Sequence, residues 1–400
     1  MSTNIFKTSF LHIGLFILTL ATTTLAGSDW MGLHEANWWQ TYLHGFWFSI
    51  PFLGILTLHE FGHYFTAKYY QMKVTLPYYI PMYIPFAPSI GTMGAFIKIN
   101  SIIPSKKVVF DVGIAGPLAG FVAAMLLLWY GFTHLPEPTY IYKVHSEYQQ
   151  YGLDYDQYVY TYAHLRAEDS IYTVKHGHKF VPQAQYQVIS TGKNLMFMFF
   201  EKYVANPTDW VPNRFELFHY PFLFAGFLSL FFTALNLLPI GQLDGGHIIY
   251  GLIGGRWQRR TAPYLFGLFV YLGTLDFLKE TFDLHPMQSN DDMVSFAPLY
   301  IVFLVLMFSK VSEKIATNIM IAVIVFAAQY FTLYFLPTFN GFDGWWVFAF
   351  LLGRFLGIYH PPSPDETPLN WQRKTVGWLS FIILILCFSP QPLVIEYISK

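Results

Sequence analysis

Hydrophobic positions in this chain are gathered into long unbroken runs, at roughly 8–26, 43–67, 108–133, 221–240, 262–279, 296–309, 315–337, 345–359 and 376–395. A bilayer core about 30 Å thick takes about 20 helical residues, so runs of this length read as membrane-spanning helices. Those at 296 and 345 are short enough to be interfacial or re-entrant, and the expected count is eight or nine. Two polar stretches interrupt the pattern. Residues 134–220 are of mixed charge and rich in Tyr and His, without repeat or low-complexity tract. In 71–107, Pro77, Pro81, Pro85, Pro88 and Pro104 forbid a continuous helix. Between them Gly94 to Asn100 has the β-branched and aromatic content of a strand, expected to lie against or dip into the membrane.

Composition agrees: 54% of the 400 residues are hydrophobic and 12% charged, against about 25% charged in soluble domains. An aromatic content of 20% suits lipid-facing and interfacial positions. A net charge of -1 gives no basic field for nucleic acid. The single cysteine, Cys387, excludes an intrachain disulfide and a cysteine-rich metal site. Positive charge sets the orientation. Lys68, Lys73, Lys98, Lys106, Lys107, Arg256, Arg259, Arg260, Lys310, Lys314, Arg373 and Lys374 fall on alternate connections, whereas 28–42, 281–295 and 338–344 hold no Lys or Arg. The N-terminus is therefore expected inside and the C-terminus outside, with 134–220 extracytoplasmic. The first run also resembles a secretory signal cut after Ala26, which would leave the second span oriented as before.

Within the second run stand His59, Glu60 and His63. An ionisable group at membrane depth costs about 2.5–3.5 kcal/mol, so three in five positions need a shared reason. Residues four apart share a helix face, so both imidazoles can hold one zinc ion while the glutamate between them polarises a water. Catalytic zinc takes a third protein ligand. The fourth run closes on Asn236-Leu-Leu-Pro-Ile-Gly-Gln-Leu-Asp-Gly245, and the charge pattern puts Asp244 on the same side and at a similar depth as His63.

His59-Glu60-Phe61-Gly62-His63, the NxxPxxxxDG pattern from Asn236 to Gly245, and Asp111-Val-Gly113-Ile-Ala-Gly116-Pro117-Leu-Ala-Gly120 on the helix between them resemble the site-2 protease family of intramembrane zinc metalloproteases. The resemblance covers roughly 43–255. Hydropathy and charge together predict an all-α polytopic membrane protein of about eight or nine transmembrane helices, with a short β-like membrane-associated segment and an extracytoplasmic insert. The expected division is an N-terminal transmembrane segment and outside loop at 1–42, core elements at 43–133 and 221–255, the insert at 134–220, and further transmembrane helices at 256–400, of which 1–42 and 256–400 rest on hydropathy alone. The resemblance implies one zinc ion per chain on His59, His63 and Asp244, Glu60 as general base and later proton donor, and Asn236 positioning substrate or stabilising an oxyanion. The implied activity is hydrolysis of transmembrane or membrane-anchored substrates, for regulated intramembrane proteolysis or signal-peptide remnant clearance. The implied partners are the lipid bilayer and that substrate; oligomeric state is left open.

Other readings compete. A polytopic metal-binding transporter would show polar residues along a path and internal repeats, which are absent. An inactive protease-like scaffold would lack Glu60 or a ligand, and all are present. For Asn236 the competing role is an interhelical hydrogen bond, and Gly113, Gly116 and Gly120 are expected to serve close helix packing. His247 is expected to cap or hydrogen-bond rather than bind metal. His134, His145, His164, His176, His178 and His219 are expected on solvated surface, and His360 in a cytoplasmic linker. With no transit peptide recognised, a bacterial cytoplasmic membrane is expected, the site facing the cytoplasm.

Overall fold

A computed structural model describes residues 2–85, 89–206, 208–282, 290–342 and 344–400; Pro88 lies outside them. The helices are α1 (Ser2–Met31), α2 (Trp38–His44), α3 (Phe46–Tyr69), α4 (Lys106–Thr133), α5 (Asp156–Val159), α6 (Tyr162–Lys175), α7 (Leu195–Tyr203), α8 (Pro221–Leu237), α9 (Asp244–Gly273), α10 (Leu275–Phe282), α11 (Asn290–Met307), α12 (Ile315–Phe335), α13 (Trp346–Leu351) and α14 (Trp371–Cys387). The strands are β1 (Tyr78–Pro81), β2 (Thr92–Phe96), β3 (Gln185–Thr191) and β4 (Leu393–Ser399). Every apolar run contains helix, as a polytopic helical membrane protein requires. Among the described residues, five helical stretches, Phe10–Met31, Trp38–Tyr69, Lys106–Thr133, Asp244–Glu280 and Ile315–Phe335, are long and apolar enough to cross a bilayer, and Pro221–Leu237, Phe296–Lys310 and Trp346–Leu356 are shorter. Large apolar side chains such as Ile50, Leu58, Phe65, Val122, Leu126 and Trp129 point outward, as lipid-facing positions do.

At the centre stands α4, packed against α3, α8 and α9. Its start is fixed by Ser105, whose hydroxyl accepts the Val108 amide at 3.3 Å. α1 is continuous across Ala26–Gly27, with Thr23, Thr24 and Ala26 buried and the Thr24 hydroxyl 2.8 Å from that of Ser49 on α3. The predicted cleavage point is thus a packed helix interior.

The expected strand is present but begins earlier, at Thr92, and pairs antiparallel with β1. Its extension continues as a ladder, the Thr75 amide donating to Lys98 O at 3.0 Å and Asn100 to Lys73 O at 2.7 Å.

Three departures from the sequence reading have physical causes. The last apolar run stops being helix at Cys387, ahead of Pro390 and Pro392, and 393–399 pairs with β3 over seven positions. This ties the C-terminus to the 134–220 stretch, so both lie on one side of the membrane. Asp244 opens α9 instead of closing the fourth run, because α8 ends at Leu237. A carboxylate in the first turn of a helix is favoured by the helix dipole. The basic residues Arg256, Arg259 and Arg260 lie within α9, whose non-helical Gly254 (φ 79°) marks a kink.

Candidate metal centre

α3 puts His59, Glu60 and His63 on its inward side, all buried. Asp244 reaches them from the start of α9. The Nε2 atoms of His59 and His63 stand 3.1 Å apart, and Asp244 Oδ2 lies 3.2 Å from the first and 3.3 Å from the second. Nitrogen and oxygen ligands about 2.0–2.2 Å from a tetrahedral zinc ion stand about 3.3–3.6 Å from one another. The triangle is therefore close to the size a zinc ion needs, and its donors, two imidazoles and a carboxylate, suit that metal. His63 Nδ1 donates to the Val112 carbonyl at 2.7 Å, which fixes the tautomer and leaves the Nε2 lone pair facing Asp244.

α4 can approach this closely because its facing residue is glycine. A Cβ on Gly116 would stand 2.1 Å from His63 Nε2. The same logic closes the Asp244 turn, where a Cβ on Gly245 would fall 2.0 Å from Leu237 O. The Gly-rich face and the doublet after Asp244 thus serve packing that brings these three side chains together.

Asn236, near the end of α8, brings its Nδ2 to 3.4 Å from His59 Nε2. It lines a cleft with His59, Gly120, Ser229, Thr92 and Gly94, so α3, α4, α8 and β2 meet there. The Ile97 amide faces the Glu60 carboxylate. All five residues singled out in the sequence are gathered at one place.

His247 stands apart from the triangle, its Nδ1 2.7 Å from His360 Nε2, as a hydrogen-bonding role predicts. His360 in turn donates from Nδ1 to Pro361 O at 2.6 Å and stacks on Tyr250, ring centroids 4.1 Å apart. Burial, with His247 beside it, pushes the His360 pKa down to about 3, so this imidazole is neutral. The connection it belongs to straps α4 and α9: the Lys106 amide donates to Asp365 O at 2.8 Å, and Glu366 accepts from Tyr250. Beside the strap Arg373 Nε and Nη2 grip Asp111 at 2.7 and 2.8 Å, and Tyr70 donates to the same carboxylate. In the sequence the only signal for this was an acid, Asp111, inside the 108–133 run, whose partner Arg373 lies 262 positions away.

A model of peptidase family M50 matches residues 47–274, more than half of the chain and all the elements that build this centre. The chain belongs to that family. It is similar to a protein of Oryza sativa subsp. japonica described as a probable zinc metalloprotease, EGY1, chloroplastic, with 27% identity over 225 residues, 55% of this chain and 29% of the relative. The Arabidopsis thaliana EGY1, described likewise, is 27% identical over 223 residues, 55% of this chain and 31% of the relative. For a probable zinc metalloprotease EGY2 of Oryza sativa subsp. indica the identity is 24% over 214 residues, 54% of this chain and 30% of the relative. The matched part of this M50 chain thus spans about three-tenths of the length of these relatives. No solved structure matches.

Proposed function

We propose that this M50 chain is an intramembrane zinc endopeptidase that hydrolyses peptide bonds of transmembrane or membrane-anchored proteins. The observation that carries the reading is the triangle of His59 Nε2, His63 Nε2 and Asp244 Oδ2, each edge 3.1–3.3 Å, with Glu60 buried beside it. These three groups would hold one zinc ion, which when bound polarises a carbonyl and lowers the pKa of water to near 7. Glu60 accepts the proton of the attacking water, holds it on its carboxyl group and delivers it to the leaving amide nitrogen. With the His59 lone pair given to a metal, the Asn236 amide is released from it, and its N–H donors are placed for the carbonyl oxygen as negative charge develops.

A helical substrate hides its carbonyls, so it must unwind at the site. Among the described residues the β1–β2 sheet has two strands, which leaves the outer edge of β2 to add a third. Thr92 and Gly94 of β2 line the cleft that reaches His59. A substrate strand laid there brings its backbone to the metal centre. The charge pattern favours a site toward the cytoplasmic face of the membrane, and membrane-bound regulators or signal-peptide remnants are the fitting substrates.

The test is cleavage of a panel of single-span proteins by the purified chain in detergent and in liposomes, with products mapped by mass spectrometry. Cuts within or beside the span, abolished by a chelator and restored by zinc, are expected. Cleavage insensitive to the chelator, or none across the panel by zinc-loaded protein, would contradict the reading.

A further inference from the structure

Away from α3, the extracytoplasmic histidines are not all on a solvated surface. His145 precedes a helical turn in the 134–220 stretch, and Glu216 precedes and His219 ends the short turn that leads into α8. His219 Nε2 lies 3.3 Å from His145 Nε2 and 3.3 Å from Glu216 Oε2, and His145 Nε2 lies 3.8 Å from that oxygen. This second triangle again has about the edges that three ligands of a tetrahedral zinc ion require. It sits at the start of α8, whose 17 residues, about 25 Å of helix, separate it from the turn that carries Asp244.

The proton arrangement is the stronger point. His219 Nδ1 is 3.2 Å from the carbonyl of Met31, which can only accept, so Nδ1 carries the hydrogen. His145 Nδ1 is 3.1 Å from the Glu147 carboxylate and carries one for the same reason. Each imidazole then turns its Nε2 inward. Glu216 is 2% exposed; its Oε1 accepts from Tyr160, while Oε2 faces the two Nε2 atoms. Three ligand-type atoms thus converge on one point. A bound cation would take the place of any proton shared among them, and the carboxylate and carbonyl behind the two imidazoles are the outer partners that zinc-binding histidines use.

We infer that His145, Glu216 and His219 form a second metal site, for zinc or a similar borderline divalent ion, distinct from the HExxH centre. Two imidazoles disfavour calcium and magnesium, which take oxygen ligands. The site fastens three parts of the chain: the insert through His145, the end of α1 through Met31 and its neighbour Gly32, which packs on the His219 ring, and the entry to α8. Its role is to hold the insert on the helices that build the cleft. It does not depend on the assignment of the other centre.

Zinc and cobalt binding to the full chain in detergent tests this in a His63→Ala background. One equivalent is expected, with the visible cobalt absorption of a four-coordinate site, and adding His219→Ala or Glu216→Gln is expected to remove it. Glu147→Gln is expected to weaken it about 10- to 100-fold. Helical content and elution volume show which variants fold; Glu216→Gln keeps side-chain size and an acceptor for Tyr160, and decides alone if His219→Ala does not fold. No zinc in His63→Ala, or one equivalent surviving Glu216→Gln undiminished, would overturn the site. If only the HExxH assignment is wrong, wild type and His63→Ala bind the same single equivalent, and Glu216→Gln still abolishes it.

Discussion

Replacing Gly116 by alanine drives a methyl group into the imidazole of His63. An ideal Cβ there stands 2.1 Å from Nε2 and 2.5 Å from both Cδ2 and Cε1. Ordinary contact begins near 3.4 Å, so the ring must retreat by about 1.3 Å. Metal coordination tolerates about 0.2 Å. The retreat also strains the 2.7 Å bond from His63 Nδ1 to Val112, worth about 0.5–1.5 kcal/mol, on top of about 1–3 kcal/mol for overpacking. If about 2 kcal/mol of this falls on the metal-bound state, zinc affinity drops about 30-fold. Two controls grade the effect. Gly120→Ala meets His59 Nδ1 at 3.2 Å and needs only a few tenths of an ångström of adjustment, whereas a Cβ on Gly267 meets nothing within 4 Å. Zinc competition against a chelator, in a His219→Ala background so that only the HExxH centre is read, should rank affinities Gly267→Ala above Gly120→Ala above Gly116→Ala. Equal affinity in Gly116→Ala and Gly267→Ala would refute the close approach of α4 to the ligand.

Ile97→Pro removes the amide that faces Glu60 and disturbs the chain continuing from β2; cleavage is expected to fall at least about tenfold with zinc content unchanged, and full activity would remove the strand-addition step. Arg373→Ala is expected to destabilise the fold by about 1–3 kcal/mol, since the Asp111–Arg373 pair is bidentate and only partly exposed; a double-mutant cycle with Asp111→Asn showing no coupling energy in chemical unfolding would contradict this. The folded pKa of His360, about 3, lies below its ordinary value near 6.5. Protons therefore bind the opened strap first, and its stability is full above about pH 6.5 and falls as pH drops toward 3. Hydrogen exchange across 357–370 should accelerate on acidification relative to the intrinsic rate and lose that excess in His360→Asn; an equal excess in both would argue against it.

The chemistry was legible because it is local or anchored in an unusual cost. His59, Glu60 and His63 announce themselves as charges in an apolar run, and the turn at Asp244 carries its own Pro and Gly punctuation. Helix positions were legible for the same reason, since lipid demands continuous apolar runs. What the sequence hid depends on distant partners. β4 continued an apolar run, and its strand identity comes from β3, some two hundred residues earlier. His145 and His219 looked like surface histidines because the contacts that pair them, with each other and from His219 to the Met31 carbonyl of α1, join residues far apart in the sequence. The strap around His360 shows no local periodicity; its order comes from Tyr250, Gln258 and the start of α4.

The central claim is that Glu60 moves a proton at a metal held by His59, His63 and Asp244. The most direct measurement compares wild type with Glu60→Gln, quantifying bound zinc and cleavage of one single-span substrate in the same preparations. Equal zinc, with cleavage lost by at least about a hundredfold in Glu60→Gln, is the predicted result. Equal zinc with equal cleavage would contradict the account.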